Sequence, residues 1–555
     1  MKKKHKHLAM LSWAVIIVQS FYRSAKSREI DSQRLWGRWY DAQLTSLRGT
    51  SKKRVGSGFR SRLFFLSTLV FLGIAESGFA KYSFDYNGEI KAAYRQIMDL
   101  DLPAAAKSLE ALAVHQPDNL ARIHLEDYYD FLQIYASDRE DVYKSLKKNR
   151  NLRLHLLEEG PVESPWYLYT QADVRLHWAF LKFQFGDYLS GFLDVKKAFQ
   201  LLEENVEAHP EFAPNYKDLG ILKALVGTVP DQYQWGVRLL SGLEGSIAQG
   251  RKDLEKCLED KQASTLFLQE ESRLLYSYLL VYIGWDYQDA WRLLAPMAKT
   301  AGQQVFKAFI YSKVAFRSGN NDEAIRVLRI ARRRSGWQYF PIMEFDLGSA
   351  LLRKLDPAAA PHFRYFLERY QGRQDVKAAH HRLAWCALLN QDQQTYLFQM
   401  SLVQSKGTEA SGRDKDASWA AQLDFVPHPQ LLKARLLFDG GYFAQALQAL
   451  EKVKKGALTQ NYEQLELDYR KGRIYHGMKN WSKALFYYNA VYHRGAADGY
   501  FFACNAVLQM GLIFEERGQL EEAAIYFDRC LDADAEVYRN SLHMAAKAGL
   551  QRMKN

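Results

Sequence analysis

Proline is scarce, 13 residues in a chain of 555. Since proline breaks the interior of a helix, its scarcity favours long helical runs. Cysteine is scarcer still. The four, Cys257, Cys386, Cys504 and Cys530, lack the close pairing of a zinc site or a redox motif. No HEXXH pair, GxGxxG turn or GxxxxGK(S/T) loop occurs, and the folded part carries no GxSxG elbow. Their absence removes the usual cradles for a catalytic zinc, a dinucleotide, a nucleoside triphosphate or a hydrolase serine. A cationic folded surface is missing too. Residues 1–62 hold 15 Lys or Arg against 3 Asp or Glu, which accounts for the whole net charge of +12; the remaining 60 basic and 60 acidic residues cancel. A phosphate-binding surface needs a cationic surplus, so nucleic acid is disfavoured.

What is plentiful is bulk. Tyr and Phe number 33 and 31, and aromatics reach 14%, a composition suited to helix packed on helix. The length exceeds one compact core and predicts several domains or a repeat array.

Residues 62–80, RLFFLSTLVFLGIAESGFA, set Arg60 and Arg62 before an apolar run from Leu63 to Ala75. Gly78 and Ala80 then place small residues three and one before a cut after Ala80. This is the layout of a secretory signal peptide, and it is short for a membrane span. It predicts a mature chain beginning at Lys81, exported to the periplasm or cell envelope. The basic leader, 1–61, is read as untranslated if synthesis starts late, for example at Val55. The rival reading is an anchor at Leu8–Val18 with a basic linker behind it. No cysteine follows the apolar run, so a lipid-anchored signal is not supported.

The strongest pattern lies near the C-terminus, in GLIFEERGQLEEAAIYFDRC. Gly511, Phe514, Gly518, Ala523, Phe527 and Cys530 have the spacing of two antiparallel helices joined at Gly518, with small residues where the helices meet. The same constellation recurs as Gly472, Tyr475, Asn480, Ala484, Tyr488 and Val491, and as Ala434, Leu437, Gly441, Ala446, Leu450 and Val453. Upstream come Ala315, Gly319, Ala324, Leu328 and Ala331, then Asp286, Ala290, Leu294 and Met297. Weaker echoes are Gly348, Leu351, Ala358, Phe363 and Phe366; Ala105, Leu109, Leu112 and Pro117; and Ala198, Leu202 and Pro210. Periods of 34 to 39 residues with this constellation resemble tetratricopeptide repeats. The resemblance implies an all-α fold: an α-solenoid of stacked helix-turn-helix hairpins. Its parts are degenerate N-terminal repeats (81–225), middle repeats (261–425) and clear C-terminal repeats (426–555).

Residues 226–260 depart from the hairpin rule. Leu239, Leu240, Gly245, Gly250 and Leu254 resemble a segment of bacterial envelope repeat proteins and, distantly, of eukaryotic repeat proteins of the Iml2 class. Two readings stand: a docking or membrane-surface helix, or a glycine-bounded connecting helix packed between repeats.

Candidate chemistry is thin. His380 and His381 point to different sides of a helix, which is poor ligand geometry. His5 and His7 belong to the basic leader. Arg332, Arg333 and Arg334 form the densest basic run of the folded part and are read as a solvated helix C-terminus. The carboxylates are read as lying on helix exteriors. Cys504 and Cys530 fall in one hairpin, either joined by oxidation or filling small buried slots.

No cofactor, metal or catalytic set is therefore expected. The expected function is a non-catalytic protein–protein interaction scaffold of the bacterial cell envelope, holding a peptide or protein in a concave groove. The alternatives are a carbohydrate- or lipid-binding envelope surface and an accessory subunit of an envelope enzyme. The resemblance implies that the first helix of each hairpin lines the groove. Its stripe is read as Leu431, Arg435 and Phe438; Tyr469, Arg473 and His476; and Asn505, Leu508 and Glu515. Two arginines and several aromatics suit an extended peptide with acidic character. The stripe does not match the Lys/Asn arrangement with which some relatives clamp a C-terminal carboxylate.

Overall fold

A computed structural model describes residues 81–226, 245–262, 265–284, 286–423, 425–454, 456–535 and 537–553. The leader, the signal segment with its cut, and residues 227–244 lie outside them. Among the described residues the chain forms 25 α-helices, and its β pairing is one isolated bridge, Ser83 with Asn119. No helix of the described residues is long and apolar enough to cross a membrane.

The N-terminal helices are α1 (Gly88–Met98), α2 (Leu102–His115), α3 (Ala121–Ser137), α4 (Glu140–Leu146), α5 (Asn149–Glu158), α6 (Pro165–Phe185), α7 (Tyr188–Ala208) and α8 (Pro214–Val226). Local chemistry starts them: the Asn87 side chain accepts from the Glu89 and Ile90 amides, and Ser164 caps α6 with Pro165 in its first turn. α6 and α8 are buried on nearly every side, so neither shows a polar face in sequence.

Beyond residues 227–244 the chain resumes as α9 (Ile247–Glu259). Far from leaving the hairpin rule, α9 packs antiparallel on α8. Gly220 lies against Gly250 and Leu254, and Gly245 against Lys223; a Cβ on Gly250 would sit 2.4 Å from the Gly220 carbonyl oxygen. The glycines are contact points between helices, and an insertion between the two arms hides the hairpin from a spacing argument.

The middle helices are α10 (Leu266–Leu279), α11 (Tyr287–Leu294), α12 (Val305–Arg317), α13 (Asn321–Ala331), α14 (Ile342–Arg353), α15 (Ala359–Arg369), α16 (Val376–Leu389), α17 (Gln393–Ser405) and α18 (Gly412–Ala420). A π-helical turn, Leu280–Gly284, extends α10. The last seven are α19 (Pro429–Asp439), α20 (Phe443–Glu451), α21 (Asn461–Gly477), α22 (Trp481–Gly495), α23 (Phe501–Glu516), α24 (Leu520–Asp532) and α25 (Arg539–Arg552). Consecutive helices pair as hairpins, and the hairpins stack: an all-α solenoid.

The small residues sit where the helices meet. Ala290, Ala324, Ala446, Ala484 and Ala523 are wholly buried. A Cβ on Gly472 would meet the Tyr488 ring at 2.7 Å, and one on Gly511 the Phe527 ring at 2.8 Å. Gly319, Gly441 and Gly518 take left-handed φ of 72°, 82° and 74° in the turns. In the α21–α22 turn Lys479 takes that conformation instead, and Asn480 caps α22 by accepting from the Lys483 amide.

The stack curls on itself. α14 touches α19, and the α12–α13 turn meets the α19–α20 turn, where the Tyr442 hydroxyl donates to Asp322 at 2.9 Å. At the far end α25 touches the turn at 280–284.

Candidate functional site

Curling turns one stripe of each first helix inward. On α12, α14, α16, α19 and α21 that stripe carries Arg317, Arg353, Arg382, Arg435 and Arg473; Arg317 is exposed and the rest are half-buried. Each guanidinium lies over an aromatic ring. Arg317 is 5.2 Å from the centroid of Tyr282, Arg353 4.4 Å from Phe316, and Arg473 4.8 Å from Phe438. Trp385 holds two, Arg382 at 3.9 Å and Arg435 at 4.9 Å. In four of the five stacks the ring belongs to the preceding hairpin, so arginine and ring alternate from one first helix to the next.

Among the described residues none of the five arginines has a carboxylate within 4 Å, although Arg413 beside them is paired with Asp375 at 2.7 Å. From farther off Asp439 attracts Arg353, Arg435 and Arg473, and Asp416 attracts Arg382 and Arg435. Burial, together with the Arg435 and Arg413 charges, pushes the Arg382 guanidinium down to about 9, which leaves it charged at pH 7. Burial also raises Tyr287, while Arg317, Arg473 and Arg552, from two hairpins and the last helix, pull it back. Among nearby acids, burial lifts Asp416 to about 6, and Asp439 is exposed.

The nine residues expected along the groove divide. Arg435, Phe438, Arg473, His476, Asn505 and Glu515 are half-buried on the inner side. Leu431, Tyr469 and Leu508 are each 1% exposed and belong to the core. Helical spacing alone cannot separate the two groups, because residues three or four apart on one face are covered unequally by the neighbouring hairpins. Tyr469 contributes through its hydroxyl, which accepts from Arg473 at 2.9 Å and Asn505 at 2.7 Å. Glu515 is engaged by Arg552, at 2.6 and 2.7 Å. Burial and the Arg473 charge push His476 down to about 3.

Sequence reasoning passed over Arg317, Arg353 and Arg382, which are isolated in sequence and meet only in the folded array. It was drawn instead to Arg332–Arg334, and two of these make specific pairs: Arg332 with Glu344 at 2.9 Å and Arg334 with Asp99 at 2.7 Å. The basic run is an anchor for α1 as well as a helix end.

The carboxylates are not all exterior either. Lys217 is enclosed by Glu271 at 3.2 Å, Asp218 at 3.4 Å and Asp173 at 3.5 Å. His124 meets Asp173 at 2.9 Å, and His177 and Trp178 both meet Asp127 at 2.7 Å. Burial opposes the charge on Asp173, but Lys217 and His177 hold it well below the usual carboxylate range. Lys217 and Asp173 are 1% exposed, so the cluster ties α3, α6, α8 and α10 together and offers no entry to a substrate. Single acids inside aromatic helices carry no exterior signature, which is why they read as ordinary surface charge.

His380 meets Gln399 at 2.9 Å, while His381 is buried against Trp385, so the adjacent histidines face different neighbours. Cys504 and Cys530 are buried and unbonded, their sulfurs 3.8 Å apart.

Residues 505–537 match the family described as "Tetratricopeptide repeat". Two solved structures align over most of the chain. Yeast Tom70 is 12% identical, with 84% of this chain and 89% of that chain covered and a TM-score of 0.29. The P58(IPK) TPR domain is 13% identical, with 82% and 99% covered and a TM-score of 0.19. No curated protein matches the sequence. The stretch spanning α23 and α24 is thus a tetratricopeptide repeat in sequence as well as in shape.

Proposed function

We propose that the chain is a non-catalytic interaction scaffold whose curled inner face holds an extended segment of a partner protein. One observation carries this. Arginines that keep some exposure recur on five first helices, each stacked on an aromatic ring, while the alanines and glycines between helices are closed. A stack of this kind presents a long ligand with one equivalent station per hairpin and needs no single reactive residue. The export layout of residues 62–80 supports placing the scaffold in a bacterial cell envelope, where N-terminal sequencing of the protein should find Lys81 first. Met1 retained at the N-terminus would overturn both the late start and the cleavage.

Site-specific cross-linking tests the inner face itself. A photoreactive phenylalanine at Phe438, on the inner stripe, should trap a partner in cells. The same group at Phe486, which is 68% exposed on the outer helix α22, should not. Equal trapping at both positions, or at Phe486 alone, would refute an inner binding face.

A further inference from the structure

The arginine stripe also bears on what kind of segment docks there. Helix C-termini tolerate cations through the helix dipole, and Arg317 and Arg353 are the last residues of their helices. The dipole does not explain why, among the described residues, five neighbouring guanidiniums have no carboxylate within 4 Å in a folded part whose charges otherwise cancel. Nor does it explain Trp385, where two guanidiniums share one indole. Arg353 is the least satisfied of the five, since its Nη1 has no hydrogen-bond partner within the protein.

We propose that the inner face is a track for an acidic polypeptide segment that carries a carboxylate at every third residue. This rests on the inner face being the partner surface and adds the chemistry of the partner. Packed helices lie about 8–10 Å apart, so one arginine per first helix gives a cationic station at about that interval. A polyproline-type strand advances about 9.3 Å in each turn of three residues, which brings every third side chain to the same face at a matching interval. The rings between the arginines supply apolar seats for the intervening residues. A duplex nucleic-acid strand sets its charges about 3.4 Å apart, roughly a third of the station interval. The geometry therefore points to a peptide.

The test uses the full chain and three labelled 15-residue peptides, followed by fluorescence anisotropy. The first is five Pro-Pro-Glu triplets. The second replaces each Glu with Gln, and the third keeps the composition but makes the five Glu contiguous. The triplet peptide should bind about tenfold or more tighter than either control, with affinity falling as salt rises. Arg353→Gln and Arg435→Gln should each weaken it about tenfold, and Arg333→Gln, an exposed residue off the track, should not. Should an inner variant fold poorly, the wild-type chain still decides: the triplet peptide should raise its melting temperature and the Gln peptide should not. Equal binding of the triplet and either control would overturn the spacing, and so would equal competition by an oligonucleotide of the same charge. Cross-links from Phe438 combined with no preference among the peptides would retain the inner face and discard the acidic register alone. Absence of inner cross-links would discard both.

Discussion

Arg353 concentrates the tension of the inner face. One guanidinium nitrogen is buried without a partner, the ring of Phe316 covers the group, and burial pushes its pKa down. A buried unsatisfied donor costs about 1–3 kcal/mol, which a cation–π contact only partly offsets. Arg353→Met keeps the aliphatic stem and removes the charge, so urea unfolding should show a chain more stable by about 1 kcal/mol. His476 titrates in the opposite sense to a stabilising cation. Its folded pKa, about 3, lies below the usual 6.5, so its neutral form is favoured. That stability is present above pH 6.5 and is lost as pH falls toward 3. The wild-type chain should therefore lose up to about 1.4 kcal/mol per pH unit in this window relative to His476→Gln, measured by denaturant titration at several pH values. Neither feature was legible in the sequence. The sequence places His476 on the groove stripe, but its neutral state and the orphaned donor of Arg353 both depend on neighbours that only the folded array supplies.

The helices and turns were far more legible, because spacing states their physics directly. Ala484 and Ala523 were read as closest-approach points, and both are wholly buried. Ala523→Leu should overpack its hairpin and cost about 1–3 kcal/mol in urea unfolding. The turn glycines rank themselves. Gly518 has positive φ with open space at its missing Cβ, so Gly518→Ala should cost about 1 kcal/mol. Gly441 has positive φ and would bring its Cβ to 2.2 Å from the Gly319 carbonyl oxygen, so Gly441→Ala should cost distinctly more. Cys504 and Cys530 should resist alkylation in the native chain and react once it unfolds, as mass spectrometry can count. What spacing could not disclose was the α8–α9 hairpin, whose arms are separated by an insertion, or the enclosed charges around Lys217.

At the scale of the molecule, a simple solenoid would confine contacts to neighbouring hairpins, but this chain does not. One apolar cluster runs from Tyr86 to Leu436 and reaches Ala548. Asp99, at the end of α1, accepts from the Val305 amide at 3.0 Å and from Arg334 at 2.7 and 3.1 Å. Asp99→Ala should cost about 1–3 kcal/mol and speed hydrogen exchange in the first turn of α12, which loses its cap. That link also sets a timetable. Asp99 and Arg334 are 235 positions apart, and a ribosome adding about 5–20 residues per second takes roughly 10–50 s to travel between them. For that interval α1 is held only by the helices that directly follow it, α2 and α3, and Asp99 has neither the Val305 amide nor Arg334. A pause engineered between residues 115 and 300 should therefore prolong a loosely held α1, and brief proteolysis of the stalled chains should cut it faster than in the finished protein.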